Sequence, residues 1–144
     1  ELPAEVKAGG WKVSADAAER NRRSVYVAVK RNLRYPFFSL FDSPERVEAC
    51  ARRFVTTTAP QALTLLNDEM ILGHAKTFAA RVTKDVGTDA DKVVGRAFEL
   101  ALGRPPSSEE RAALMAFLRN RGGADGVTDL CHALLNLNEF LYID

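Results

Sequence analysis

The sequence is short of cysteine, glycine and long apolar runs, and each shortage excludes a class of protein. Two cysteines and nine glycines in 144 residues exclude a disulfide-rich scaffold and a collagen-like chain. No apolar run approaches the roughly 20 residues that span a bilayer. Hydrophobic residues make up 47% of the chain and the net charge is +1, which excludes a mainly disordered chain and a wholly basic nucleic-acid binder. We therefore expect a single globular domain over residues 1–144.

The sequence also lacks the motifs that mark common enzymes and cofactor sites. It contains no phosphate-binding Walker pattern, no dinucleotide fingerprint and no Gly-x-Ser-x-Gly nucleophile elbow. Cys50 and Cys131 lie too far apart in the chain to form a c-type haem attachment motif. We therefore predict no cofactor in this segment and favour a role without catalysis.

The spacing of apolar residues separates a front part, residues 1–42, from a helical part, residues 43–144. Val25, Val27 and Val29 alternate with other residues, which predicts a strand, and its partner is expected at residues 11–13. The front part is otherwise irregular. The predicted fold is mainly α: a cluster of four to five helices with a small β hairpin or ribbon near the N-terminus.

Capping signals predict where the helices begin and end. Thr58 with Gln61, and Ser107 with Glu110, fit capping boxes, and Asp89 is the expected cap of the helix between them. Asn67 lies within the apolar stripe of the long helix, so we expect it to be buried and to hold an adjacent loop. The predicted helices cover approximately residues 44–54, 59–86, 90–102, 107–121 and 126–138.

Positive charge is concentrated near the front of the chain. Residues 1–53 carry 11 Lys and Arg against 7 Asp and Glu, whereas the remainder carries 9 against 12. A basic segment from Arg20 to Tyr35 could follow an anionic polymer, or its cations could pair with carboxylates of the acidic part, which we favour. A second basic stretch precedes a helix start and could form an anion site or a capping motif. The candidate binding residues in these two stretches are Arg22, Arg23, Arg31, Arg34, Arg52, Arg53 and Thr57.

The two histidines lie on predicted helices. For His74 a place at the edge of the core is favoured over a role as a buried base. Asp129, His132, Asn136 and Glu139 share one helix face and could hold a metal ion, but zinc sites normally use more His or Cys. We therefore predict a solvated or hydrogen-bonded face without a metal, and retain Asn136 and Glu139 as candidate binding residues.

Several blocks of the sequence recur in a fixed order: NRRSVY (residues 21–26), RNL (31–33), FD (41–42), CARR (50–53), TTTAPQALTLLN (56–67), LGRPP (102–106) and ALLNLNEFLY (133–142). Together they resemble the C-terminal part of a planctomycete-specific domain of unknown function, domain of unknown function 1553. The resemblance runs from about Trp11 to the end and covers the later half of that domain.

The resemblance implies a place in a large exported protein, at the periplasm or cell surface, that often begins with a cytochrome c-type domain. Export would permit a disulfide between Cys50 and Cys131, and haem would belong to the other domains. Since the chain starts at Glu1, we interpret it as the C-terminal part of a longer protein.

The resemblance carries no established catalytic or binding residues. We therefore expect a non-catalytic structural or interaction module that docks against neighbouring domains. The alternative is a binding module for an anionic polymer, with polysaccharide favoured over nucleic acid. A third hypothesis is part of a hydrolase site that an upstream region completes, in which Glu139 or His132 takes part.

Overall fold

A computed structural model describes residues 14–27, 35–44, 56 and 58–142 of the chain. The chain divides into two compact units, Glu1–Thr56 and Thr57–Asp144. The described residues are mainly helical, as the spacing of apolar residues predicts, and none of them lies in a β-strand.

In the described residues of the first unit lie two short α-helices, α1 (Ala17–Arg20) and α2 (Pro36–Leu40), and a 3₁₀ turn at Ser24–Tyr26. Asp16 caps α1 by accepting the N–H of Ala18 at 2.9 Å. Within this unit the carboxylate of Asp42 accepts both the backbone N–H and the hydroxyl of Thr56, at 2.9 and 2.6 Å. A local helix cap and a contact between residues 14 positions apart therefore stabilise the described parts of this unit.

The predicted strand over residues 24–30 is wrong where it can be compared. The N–H of Tyr26 donates to Arg23 O at 3.0 Å and that of Val27 to Ser24 O at 3.1 Å, so these donors close a turn and not a ladder. Val25 and Tyr26 are 78% and 69% exposed. The alternation therefore does not bury these two side chains. The described residues do not include the expected partner strand at residues 11–13 or the end of the predicted strand. The helix predicted at 44–54 also lies outside them, apart from Pro44, which is not helical.

The second unit holds the hydrophobic core. It consists of α3 (Ala59–Asn67), α4 (Glu69–Val86), α5 (Ala90–Leu102), α6 (Ser108–Arg121), α7 (Gly123–Leu135) and α8 (Asn138–Leu141). Helices α4 to α7 pack together, with α4 mainly against α7. Their inward faces form one core, whose largest fully buried side chains are Phe98, Leu130, Val82, Val93, Val94 and Cys131.

The ends of α5 and α6 confirm the capping predictions. Asp89 accepts the N–H groups of Asp91 and Lys92, and Gly103 ends α5 in the left-handed conformation, with φ of 69°. At the start of α6, Glu110 N–H donates to Ser107 Oγ at 3.2 Å, and Ser107 N–H donates back to Glu110 at 2.7 Å. These ends place Arg104 in a short loop between two fixed helix termini.

The helix predicted over residues 59–86 is wrong in one respect, because it is two helices. Asp68 has extended backbone angles (φ −69°, ψ 129°) and its carboxylate accepts the N–H of Met70 at 2.9 Å. The residue therefore ends α3 and caps α4, a use of Asp that competes with helix continuation. Helix α7 also differs, since it begins at Gly123 and not at Gly126, and ends at Leu135.

Two glycines should respond oppositely to replacement by alanine. Gly73 lies inside α4 with no atom within 4 Å of an added Cβ, so Gly73→Ala should stabilise the unit by about 0.5–1 kcal/mol. Gly103 has equal space but a positive φ, so Gly103→Ala should destabilise it by about 1–2 kcal/mol. Urea unfolding measures both changes. A Gly103→Ala variant as stable as Gly73→Ala would contradict the assigned helix end.

Candidate functional site

The most densely connected polar group of the second unit is the guanidinium of Arg104, in the loop between α5 and α6. It forms a two-point ion pair with Glu110, in which Nη1 and Nη2 donate to the two carboxylate oxygens at 2.9 and 2.8 Å. The capping box at the start of α6 fixes Glu110, because the same carboxylate accepts the N–H of Ser107. The geometry of a helix cap thus orients the ion pair.

A second carboxylate, from α8, completes the arrangement. Glu139 accepts from Nε of Arg104 at 2.6 Å and from Nη2 at 2.7 Å, and Nη1 also donates to Pro105 O at 3.2 Å. These five bonds use all five N–H donors of the guanidinium. The guanidinium also lies 5.4 Å from the centre of the Phe98 ring. We call Arg104, Glu110 and Glu139 the Arg104 cluster.

The charges of the Arg104 cluster hold its carboxylates in the ionised form. Hydrogen bonds from Arg104, followed by the backbone bond from Ser107, lower the pKa of Glu110 to about 2. The bond from Arg104 also lowers the pKa of Glu139. A general acid needs a carboxyl pKa raised towards neutrality, and the shift here is in the opposite direction. The cluster is therefore suited to joining α5, α6 and α8.

The lowered pKa of Glu110 predicts how the stability of the second unit changes with pH. Because the pKa falls from 4.5 to about 2 on folding, Glu110 stabilises the folded unit above pH 4.5, and this contribution is lost as the pH falls towards 2. Stability of the unaltered chain should therefore decline more steeply over this range than that of Glu110→Gln. Urea unfolding at several pH values measures the slopes, and Glu109→Gln, at an exposed neighbour, is the control. Equal slopes for all three proteins would contradict the prediction.

A second polar arrangement connects α7 to α3. Nε2 of His132 lies 2.9 Å from the carbonyl oxygen of Leu65, and a carbonyl can only accept, so Nε2 is the protonated nitrogen. One turn further along α7, Nδ2 of Asn136 donates to His132 O at 2.8 Å. Asn136, a candidate binding residue, therefore has a partner within its own helix.

The four side chains predicted to share a face do not converge on one site. Asp129 pairs with Arg121 at 2.8 Å, His132 with Leu65, Asn136 with the α7 backbone and Glu139 with Arg104. Among the residues that the structure describes, no group of three or more His, Cys, Asp or Glu side chains could hold a metal ion.

The basic candidates are described in part. The guanidinium of Arg22 pairs with Glu19 at 2.6 Å and lies 5.8 Å from the centre of the Tyr26 ring. Arg23 is exposed and precedes the 3₁₀ turn. The remaining candidates, on which the anionic-polymer hypothesis also depends, lie outside the described residues: Arg31, Arg34, Arg52, Arg53 and Thr57. Glu19 belongs to the basic part of the chain, so this pair is not one of the predicted pairs with carboxylates of the acidic part.

Two expectations about single polar residues are wrong. Asn67 is exposed, and its Nδ2 donates to Leu63 O at 2.9 Å on the last turn of its own helix. The buried side of α3 carries Gln61 and Leu65, and Asn67, two residues after Leu65, lies on the opposite side of the helix. His74 is exposed on α4 and not at the edge of the core.

Cys131 lies in the middle of the core with no exposed surface. Burial raises the pKa of its thiol to about 12. Cys50 lies outside the described residues, so the disulfide between the two stays a prediction.

Sequence reasoning missed the central residue of the site. Arg104 belongs to the LGRPP block and Glu110 to a predicted capping box, but no pairing between the two is predicted from the sequence. The available signal was a lone arginine between a helix-ending glycine and a capping box, which brings its side chain close to the Glu of the box. Glu139 could not be paired from sequence, since 35 residues separate it from Arg104.

Comparisons with known proteins bear on the family alone. The family described as PSD1, protein of unknown function (DUF1553), matches residues 3–118 of the chain. No curated protein and no solved structure has significant similarity to it. Within the described residues, none of the helices combines the length and the apolar character that crossing a membrane requires.

Proposed function

We propose that this chain, which belongs to the PSD1 family of proteins of unknown function (DUF1553), is a non-catalytic structural and interaction module. It acts within an exported multidomain planctomycete protein and docks against neighbouring domains of the same polypeptide. Haem, where that polypeptide carries it, belongs to the other domains.

The observation that carries this proposal is the saturation of Arg104. Its five N–H groups are all bonded within the unit, so an external anion would have to displace Glu110 or Glu139. Glu139, the acidic residue of the NEF sequence, is thereby held as a carboxylate beside a cation. Side chains that could bind or catalyse are used to fix helix ends in place, which is typical of a scaffold.

A surface for docking is available on α3 and at the start of α4. Leu63 and Leu66, three residues apart on α3, are 59% and 52% exposed, and Met70, at the start of α4, is 49% exposed. Helix α3 contains no charged residue, although 27% of the chain is charged. Exposed apolar side chains of this kind favour contact with another protein surface. We assign Leu63, Leu66 and Met70 to the contact with a neighbouring domain.

Coexpression tests the proposal. This chain and the remaining domains of the polypeptide, produced as two separate proteins, should copurify, and Leu63→Asp with Leu66→Asp should reduce the yield of the complex at least tenfold. The control is Phe117→Asp on α6, where the side chain is 37% exposed, and it should leave the yield unchanged. Circular dichroism confirms that each variant is folded. An unchanged yield with Leu63→Asp and Leu66→Asp would overturn the assigned contact, and turnover of a substrate by this chain alone would overturn the non-catalytic role.

A further inference from the structure

The break between α3 and α4 leaves several backbone groups without their helical partners, among them the carbonyl of Leu65. In a continuous helix the carbonyl of Leu65 would accept the N–H of Glu69. The extended conformation of Asp68 removes that bond, although Asp68 N–H still donates to Thr64 O at 2.9 Å. Asp68 thus separates two helices, each of which keeps its internal backbone hydrogen bonds.

The imidazole of His132 takes the place of the missing donor. Its Nε2 donates to Leu65 O at 2.9 Å, and the ring is partly buried between α7 and α3. An uncapped carbonyl at a helix end that faces the protein interior is unfavourable. The break at Asp68 therefore makes the bond from His132 a specific attachment of α3 to the rest of the unit.

Helix α3 packs mainly against α4 and makes few contacts with the other helices. Two of its nine residues, Gln61 and Leu65, are buried. Much of the apolar surface of α3 faces outward, as the exposure of Leu63 and Leu66 demonstrates. Segments with few buried contacts open locally at a lower free energy than the core.

We propose that Asp68 is a hinge and His132 a latch, so that α3 opens as a unit while α4 to α7 stay folded. In the closed state His132 donates to Leu65 O and the side chain of Leu65 is buried. In the open state the bond is broken, α3 turns about Asp68 and Leu65 becomes accessible. This inference concerns motion within the second unit and does not depend on the proposed function.

Hydrogen exchange of the full chain tests the hinge. In His132→Ala the backbone amides of residues 63–67 should exchange about fivefold to tenfold faster, as loss of one hydrogen bond predicts, while those of α5 stay unchanged. His74→Ala replaces the exposed histidine on α4 and is the matched control, with no expected change. His132→Gln, whose amide can still donate, should restore slow exchange.

A second variant connects the latch to the break. Asp68→Ala removes the side-chain cap of α4 and favours one continuous helix, in which Glu69 N–H can satisfy Leu65 O. In that background His132→Ala should change exchange in α3 less than twofold. Equal acceleration in α3 and α5, an equal effect of His74→Ala, or a full effect of His132→Ala in the Asp68→Ala background would each overturn the proposal.

Discussion

Replacing Phe98 with alanine should lower the free energy of unfolding of the second unit by about 3–5 kcal/mol. Phe98 lies at the centre of the core with 2% of its surface exposed, and buried side chains of α4, α6 and α7 belong to the same core. Neighbouring side chains can therefore move little to fill the cavity. For a unit of this size the loss corresponds to a decrease in Tm of roughly 12 °C or more.

Thermal and urea unfolding of matched variants test this prediction. Phe117→Ala removes the same atoms from α6, where the ring is 37% exposed, and should cost less than about 1 kcal/mol. Phe98 also lies under the guanidinium of Arg104, so Phe98→Ala should weaken the attachment of α8 as well. Comparable losses for the two variants would contradict the position assigned to Phe98.

The thiol of Cys131 should react at least 1,000-fold more slowly in the folded chain than in the unfolded chain. Burial raises its pKa from 9.0 to about 12, which by itself reduces the thiolate fraction about 1,000-fold at pH 8. Exclusion of the reagent from the core adds to this effect, since the residue has no exposed surface.

Alkylation with iodoacetamide, followed by mass spectrometry, measures the rate in a Cys50→Ser variant. The control variant combines Cys50→Ser and Cys131→Ser with Ala133→Cys, at an exposed position on the same helix. Its cysteine should be labelled rapidly without denaturant. A folded rate for Cys131 within tenfold of the unfolded rate would contradict the prediction. In the unaltered chain, unfolded without reductant, labelling of Cys131 would exclude the disulfide with Cys50.

Local chemistry explains which parts of the fold could be predicted. The bounds of α5 follow from Asp89 and Gly103, because a side-chain cap and a left-handed glycine act within one turn. The helix break at Asp68 is not predicted, because the apolar spacing continues across this residue. An Asn-Asp-Glu sequence is nevertheless a recognisable place for one helix to end and another to begin. At residues 24–27 alternation alone indicated a strand, but the backbone donors bond locally.

The candidate site was harder to predict than the helices. Asn136 and Glu139 were singled out from their spacing on one face, yet they contact different parts of the unit. Whether Glu139 meets Arg104 depends on how α8 returns to the loop after α5, which no local pattern encodes. For the same reason His132 could be placed on a helix face, but its carbonyl partner on α3 could not be identified.

The Arg104 cluster also implies an order of events in time. Glu110 is six residues from Arg104 and Glu139 is 35 residues from it, so the first pair closes a much smaller loop. During folding Arg104 should therefore bind Glu110 as soon as α5 and α6 meet, and Glu139 should arrive afterwards. The carboxylate of Glu139 then binds the remaining N–H donors of an Arg104 side chain that Glu110 already orients. Helix α8 should therefore be the last of these elements to dock during folding and the first to detach during unfolding.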